Sequence, residues 1–217
     1  MRDRTIHMTA TAQKKRTRLS PEKRRALILD KTAEIVAKEG VANLSMDQIG
    51  REAGISKSLV YNYFPNLNDL LKVLLERELR HLRRAQRKAA EEADTFEELV
   101  RGVTHAYLTY IDERGLIIER LQAEPSVSDM HDPTDYSRGT AVEYLGQLAQ
   151  DLFDLPPEIA RAATDISFGI PSAAGMFLLK RQLPLEQVED LTVTMILGTF
   201  AAIKTDYTIN KTKLRRR

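Results

Sequence analysis

Ser45-Met46-Asp47-Gln48-Ile49-Gly50-Arg51-Glu52-Ala53-Gly54-Ile55-Ser56-Lys57-Ser58-Leu59-Val60-Tyr61-Asn62-Tyr63-Phe64 decides the fold. Ser45 followed three residues later by Gln48 reads as a capping box, hydroxyl and amide satisfying reciprocal backbone donors. The helix it opens has an inward face of Met46, Ile49, Gly50 and Ala53, at helical spacing. Gly54 supplies the positive φ of a tight helix exit, and Ser56 caps a second short helix, Lys57 to Tyr63, that buries Val60 and Phe64. Ala53 is small enough for two helices to cross closely, and Ile49, Ile55 and Val60 fill the wedge between them. The outer face of the second helix then shows Lys57, Ser58, Leu59, Tyr61 and Asn62, and is free to enter a major groove. On spacing alone, any small helical hairpin would look the same.

Working outward, Ser20-Pro21-Glu22 starts a helix with an N-cap hydroxyl and Pro at its first position. That helix carries Ile28, Leu29, Thr32, Ala33, Ile35 and Val36 on one face and should stop at Gly40. Residues 1–19 are polar, with Lys14, Lys15, Arg16 and Arg18 clustered, and read as a mobile basic arm or a solvated tail. On the other side Pro65-Asn66 breaks the chain, and Asn66 or Asn68 caps a long helix from Leu67 to about Ala93. Thr95-Phe96-Glu97-Glu98 is another capping box, opening a helix to about Arg114. Further helices are expected over 116–122, 134–153, 157–181 and 185 to about 207, with a loop from Glu124 to Pro133. No strand alternation or fixed-period repeat is present, so the expectation is an all-α protein of about nine helices.

Composition agrees. Of 217 residues, 42% are hydrophobic and only 6% aromatic, with no Trp, which suits a helical core. Cys is absent, so no disulfide, thiolate nucleophile or Cys-ligated metal is possible, and a reducing cytoplasm is expected. Nowhere do eighteen apolar residues run together, which argues against membrane spanning, and no signal-peptide pattern opens the chain. The net charge of +2 conceals an asymmetry: residues 1–72 carry +6, residues 73–208 carry −9, and the last nine +5. A basic N-terminal third beside an acidic remainder suggests that only one part meets a polyanion.

Ile28-Leu29 through Gly40, Ser45, Ile49, Ala53-Gly54-Ile55-Ser56, Tyr61-Asn62-Tyr63-Phe64 and Leu70-Leu71 together resemble the N-terminal domain of TetR-family transcriptional regulators. The resemblance runs from about Lys23 to Leu75; beyond it only helix number and length correspond. It implies an all-helical homodimer in which each subunit has a DNA-binding domain (residues 20–66) and a larger ligand-binding and dimerisation domain (67–208). The arm (1–19) and a basic tail (209–217) flank them. By resemblance, Ser45 contacts phosphate and Met46 reaches a base edge. Lys57 and Ser58 read bases, Lys57 by donating to guanine O6 and N7. Tyr61 is the family's signature Tyr, and Tyr63 stands where a phosphate-contacting His is common. Leu59 and Asn62 complete the DNA-facing set. Three positions depart from the pattern: Leu67 for a phosphate-gripping Lys, Leu59 for Thr or Ala, and Gly50 for Ala.

In the larger domain, Leu191 to Ile203 is apolar almost all round and must be buried by neighbours. Ala160, Ala163, Gly169, Ala173, Ala174 and Gly175 in the preceding helix permit close approach. Two such helices per subunit would pair across a two-fold axis, or else form a purely intrachain core. Tyr107, Tyr110, Glu119, Gln122, Tyr144, Phe168 and Met176 are pocket candidates, and the apolar surroundings favour a lipophilic or amphipathic effector. Asp129, His131 and Asp132 could be ligands to a metal, but an acidic loop gives such a trio by chance; no cofactor is expected. Four scattered His (7, 81, 105, 131), with no phosphate-binding loop or activated-nucleophile motif, argue against an enzyme. The function expected is a transcriptional regulator, more specifically a repressor released from a palindromic operator by its effector. A ligand- or partner-binding protein with weakened DNA binding is the alternative.

Overall fold

The computed structural model describes the backbone of residues 19–128 and 133–214. The arm over 1–18, the Asp129-His131-Asp132 trio and residues 215–217 lie outside the described residues. Ten helices and no strand are found among those described: α1 Pro21–Glu39, α2 Met46–Ala53, α3 Lys57–Tyr61, α4 Leu67–Glu91, α5 Phe96–Gln122, α6 Pro125–Ser128, α7 Pro133–Phe153, α8 Pro157–Ser167, α9 Gly169–Leu179 and α10 Leu185–Leu214.

Local chemistry sets most of the boundaries. The side chains of Ser20, Ser45, Ser56, Asn66 and Thr95 each accept a backbone N–H from the first turn of the helix they open. At Thr95 the reciprocal bond also forms, Glu98 returning to the Thr95 N–H. At Ser45 only half of the expected box exists. Gln48 Nε2 reaches instead across the turn to Glu39 Oε2 at 2.9 Å, tying α2 to the end of α1.

Several boundaries differ from the sequence expectation: α3 ends at Tyr61 and not Tyr63, and the short α6 lies within the loop expected from Glu124. The helix opened by Thr95 does not end near Arg114, because Gly115 is a packing position inside α5. A Cβ there would lie 2.9 Å from Ile111 Cγ2 and 3.1 Å from Leu179 Cδ2, so the missing side chain lets α9 approach. Conversely the span 157–181 is two helices broken at Phe168. Pro171 lacks an N–H and its ring crowds the carbonyl four residues back, which is Ser167. Finally α10 runs on to Leu214, past the expected end at Tyr207 and into the basic tail.

The core of the first four helices does not stop at a domain boundary. Ile28, Val36, Ile49, Val60, Phe64, Leu70 and Leu74 form one cluster with Ile117, Ile118 and Leu121 of α5 and Val127 of α6. A second cluster joins α7, α8 and α10, with the rings of Phe96, Phe153 and Phe200 all at 5.4 Å from one another. Leu108, Leu178 and Val188 make a third, between α5, α9 and α10.

Candidate nucleic-acid interface

The turn between α2 and α3 is as tight as its residues suggest. Gly54 takes the left-handed conformation, φ 65° and ψ 31°, and Ile55 N–H donates to the Gly50 carbonyl at 2.9 Å. Gly50 has a role that spacing alone does not disclose. A Cβ at this position would sit 3.0 Å from the Ile55 carbonyl oxygen and 3.4 Å from Lys57 N. Alanine would add up to about 1 kcal/mol of helix propensity yet push against backbone that cannot give way cheaply. Gly50→Ala is therefore expected to lower the melting temperature, read by circular dichroism; a rise would show that the turn has slack.

Val60 and Ile49 are fully buried in the wedge, so α3 is locked with one face outward. Lys57, Ser58, Tyr61 and Asn62 are exposed on that face, Tyr61 at 44%. Lys57 makes no ion pair among the described residues, which leaves its ammonium available to a partner. Leu59 is half-buried, so only part of it can meet a thymine methyl. Ser45 is exposed at the start of α2 while its hydroxyl caps Gln48 N–H at 3.2 Å. Tyr63 is half-buried, and its hydroxyl accepts from Arg24 Nη1 at 3.4 Å.

Met46 is a correction. Its side chain is only 5% exposed and belongs to the core of α1–α4, so as placed it cannot reach a base edge. Its inward position in the apolar stripe of α2 outweighs its place in the family pattern. Leu67, where a phosphate-gripping Lys is usual, likewise packs against this core. The cations that sequence reading passes over are on α1. Lys23, Arg24 and Arg25 stand in its first turns, with the Arg25 guanidinium 5.2 Å from the centre of the Phe64 ring. The signal was the N-terminal charge excess, which the arm alone does not exhaust.

The seven pocket candidates do not come together. Tyr107 is half-buried against Gly175 of α9, whose Cβ would lie 3.0 Å from the Tyr107 hydroxyl, and burial pushes the pKa of that hydroxyl up. Phe168 is half-buried at the break between α8 and α9, under the Arg138 guanidinium at 5.6 Å. Glu119 and Gln122 are exposed at the end of α5, and Tyr144 and Met176 are 60% and 53% exposed. A surface groove of about 430 Å³ between α7 and α8 contains none of the seven.

Tyr110 has a different task. Its hydroxyl donates to Glu78, whose carboxylate is fully buried between α4 and α5. Arg114 and Arg77 grip the same carboxylate, and Arg77 also reaches Asp30 of α1 at 2.6 Å. Burial alone would raise the Glu78 pKa, but these donors overcome it and hold the carboxyl below its ordinary range. On the other side of the same junction Arg120 Nη1 donates to the Val36 and Ala37 carbonyls, both at 2.7 Å, capping the end of α1 from α5. Helices α1 and α4 are thus fastened to α5 by polar bonds as well as by core.

A helix-turn-helix with an exposed recognition face, carried on a larger helical domain, defines a DNA-binding transcriptional regulator. The family profile described as bacterial regulatory proteins, tetR family, matches residues 28–74. Over this stretch the chain resembles that family. It is 34% identical over 73 residues to the HTH-type transcriptional regulator LuxR of Vibrio harveyi, covering 34% of this chain and 36%, about a third, of that protein. It is 27% identical over 180 residues to the HTH-type transcriptional repressor LfrR of Mycolicibacterium smegmatis, covering 81% of this chain and 89% of that one. The fold is shared with a TetR-family regulator from Streptomyces coelicolor, at 21% identity and a TM-score of 0.69 over 92% of this chain and 89% of that one. LfrR in complex with proflavine superimposes with a TM-score of 0.59 at 23% identity, over 82% of this chain and 96% of that one.

Proposed function

We propose that the protein is a cytoplasmic repressor that binds a two-fold symmetric operator as a homodimer and is released by a small lipophilic or amphipathic effector. The observation that carries the reading is the outward set Lys57, Ser58, Tyr61 and Asn62 on a helix locked by Val60. Ser45, Tyr63 and the α1 cations Lys23, Arg24 and Arg25 surround it with phosphate donors, which compensates for Leu67. Support for an effector comes from the relative LfrR, whose structure holds proflavine. An effector acting between helices of the larger domain would shift α4 and α5. Because Arg120 and the shared core tie α5 to α1, that shift changes the spacing of two recognition helices that must stand about 34 Å apart. The coupling is reciprocal, so operator DNA must weaken effector binding by the same factor.

The test is selection of bound genomic fragments by the purified protein at about 150 mM salt, which suppresses purely electrostatic binding. Recovery of a short palindrome supports the reading. Recovery of nothing above background would favour a ligand-binding protein that has kept the fold. On the recovered site Lys57→Ala is expected to weaken binding about 10- to 100-fold and relax preference at one base pair, as read by a gel-shift titration. An unchanged affinity would remove Lys57 from the interface.

A further inference from the structure

A solvated helix normally mixes its charges, because opposite signs three or four residues apart attract and like signs repel. The middle of α4 breaks that pattern. From Leu79 to Ala90 it has no carboxylate, and its cations give it +5 inside a stretch, 73–208, that carries −9 overall. Leu79 and Leu82 turn inward and are buried, while Arg80, Arg84 and Arg87 are exposed. At 3.6 residues per turn these three lie within about 60° of one another on the outer face, along about 10 Å of helix. Arg80 has Glu76 as its partner at 2.6 Å. Arg84 and Arg87 have no counter-ion among the described residues, so the repulsion between them goes unrelieved.

This stripe is continuous with the recognition domain. Glu22 and Arg25 of α1 line one groove of about 400 Å³ together with Glu76, Arg77 and Arg80 of α4. The Arg25 guanidinium lies 5.2 Å from the centre of the Phe64 ring, and Arg24 reaches the Tyr63 hydroxyl at 3.4 Å, both just beyond α3. The cations in the first turns of α1 and the stripe on α4 thus share one side of the subunit, and that side begins at the end of the recognition helix. Guanidinium groups without carboxylates suit phosphate, which they can grip with two bonds each and without regard to sequence.

We propose that Arg84 and Arg87, with Arg80 beside them, receive backbone phosphates of the duplex that flanks the operator half-site. Arg84 stands about 25 Å along α4 from Leu67, so the flank must curve toward the subunit to meet it. The inference rests on the DNA-binding reading above and adds a requirement to it: full affinity needs DNA beyond the palindrome.

The experiment is a gel-shift titration of the full-length protein with the recovered operator in two lengths. One fragment ends at the last base pair of the palindrome, and the other adds about 15 base pairs on each side. The longer one is expected to bind at least about tenfold tighter at 150 mM salt, with a steeper salt dependence. The double variant Arg84→Gln, Arg87→Gln should lose that advantage, flatten the salt slope on the long fragment by about three to four units for the dimer, and bind the short fragment as the unaltered protein does. Its melting temperature should not fall, because the substitutions relieve repulsion. Equal affinity of the unaltered protein for both lengths overturns the proposal and leaves operator binding standing. A long-fragment advantage that survives in the double variant overturns it too, by assigning the flank contact to other cations. So does an equal loss on both lengths, which a general change of field would give. Association of the DNA-free protein beyond a dimer, abolished in the double variant, would assign the stripe to the acidic side of another copy and overturn it as well. Failure to bind either length overturns the DNA-binding reading itself, and the proposal with it.

Discussion

Glu78→Ala is expected to cost about 3–5 kcal/mol of stability, seen as a large fall in the urea midpoint at pH 7. Glu78 is fully buried, and its removal strands Arg77, 17% exposed, and Arg114 without their shared counter-ion. It also leaves the Tyr110 hydroxyl with only the Glu78 backbone carbonyl, at 2.9 Å. Breaking a buried pair from one side is worse than lacking it, since the remaining charge keeps its desolvation penalty. The pH dependence follows from the direction of the shift. A carboxyl whose folded-state pKa is depressed contributes stability above its unfolded value, near 4.5, and loses it as pH falls through the folded value. The unaltered protein should therefore weaken progressively below about pH 4.5 through this group. Glu78→Gln should be weaker at neutral pH and flatter across that acid range. A Glu78→Ala protein as stable as the original would mean that the Arg side chains find other partners. The network also fastens α4 to α1 through Asp30, so its loss should loosen the elements that carry the recognition helix.

What was legible in the sequence was whatever is decided within one turn of chain. The caps at Ser20, Ser45, Ser56, Asn66 and Thr95 and the turn at Gly54 are short-range chemistry, and they place the helix-turn-helix without reference to anything distant. Pro171 also carries a local signal, which reading the apolar run of 157–181 as one helix overrides. Glycine was legible as a freedom and not as a contact. Gly54 is needed for its positive φ, whereas Gly50 and Gly115 are needed because backbone or Leu179 comes close, a fact of tertiary structure. Glu78 belongs to the same class. It sits in Glu76-Arg77-Glu78-Leu79-Arg80-His81, which reads as a solvated charged face, and becomes a buried hub only because α5 brings Tyr110 and Arg114 to it. Met46 shows the opposite error, a family position given more weight than the apolar stripe on which it lies. The pocket candidates failed to converge because an aromatic or polar residue on an apolar face marks a helix edge as readily as a cavity.

Charge introduced at Met195 is expected to separate the subunits. Leu191, Met195, Gly198 and Ala202 follow one another at i, i+4, i+7 and i+11 along α10, and all are exposed, Leu191 at 56% and Met195 at 57%. Met176 and Ala173 of α9 are exposed as well, beside a helix that packs directly on α10. Such a face of large and small apolar side chains is not left to water in a stable protein. The segment Pro157–Leu179 is long and apolar enough to cross a membrane, with mean hydropathy 1.3. It is nevertheless interrupted at Phe168 and carries Glu158, Arg161 and Asp165, with Arg161 and Asp165 in ion pairs to α7. Under the homodimer proposed above, a second copy of α9 and α10 would cover this face, because small residues let equivalent helices approach across a two-fold axis. Under that arrangement Met195→Asp buries a carboxylate in each subunit beside its own symmetry mate, a cost of several kcal/mol on dimer formation. Light scattering should then report a monomer of about half the original mass. The helical signal should persist, since Met195 supports no intrachain cluster, and operator affinity should fall to that of a single half-site. A Met195→Asp protein that remains dimeric would move the interface to another face. One that melts at the original temperature yet no longer binds DNA would show that the dimer, and not the fold of the subunit, is what holds the two recognition helices at their spacing.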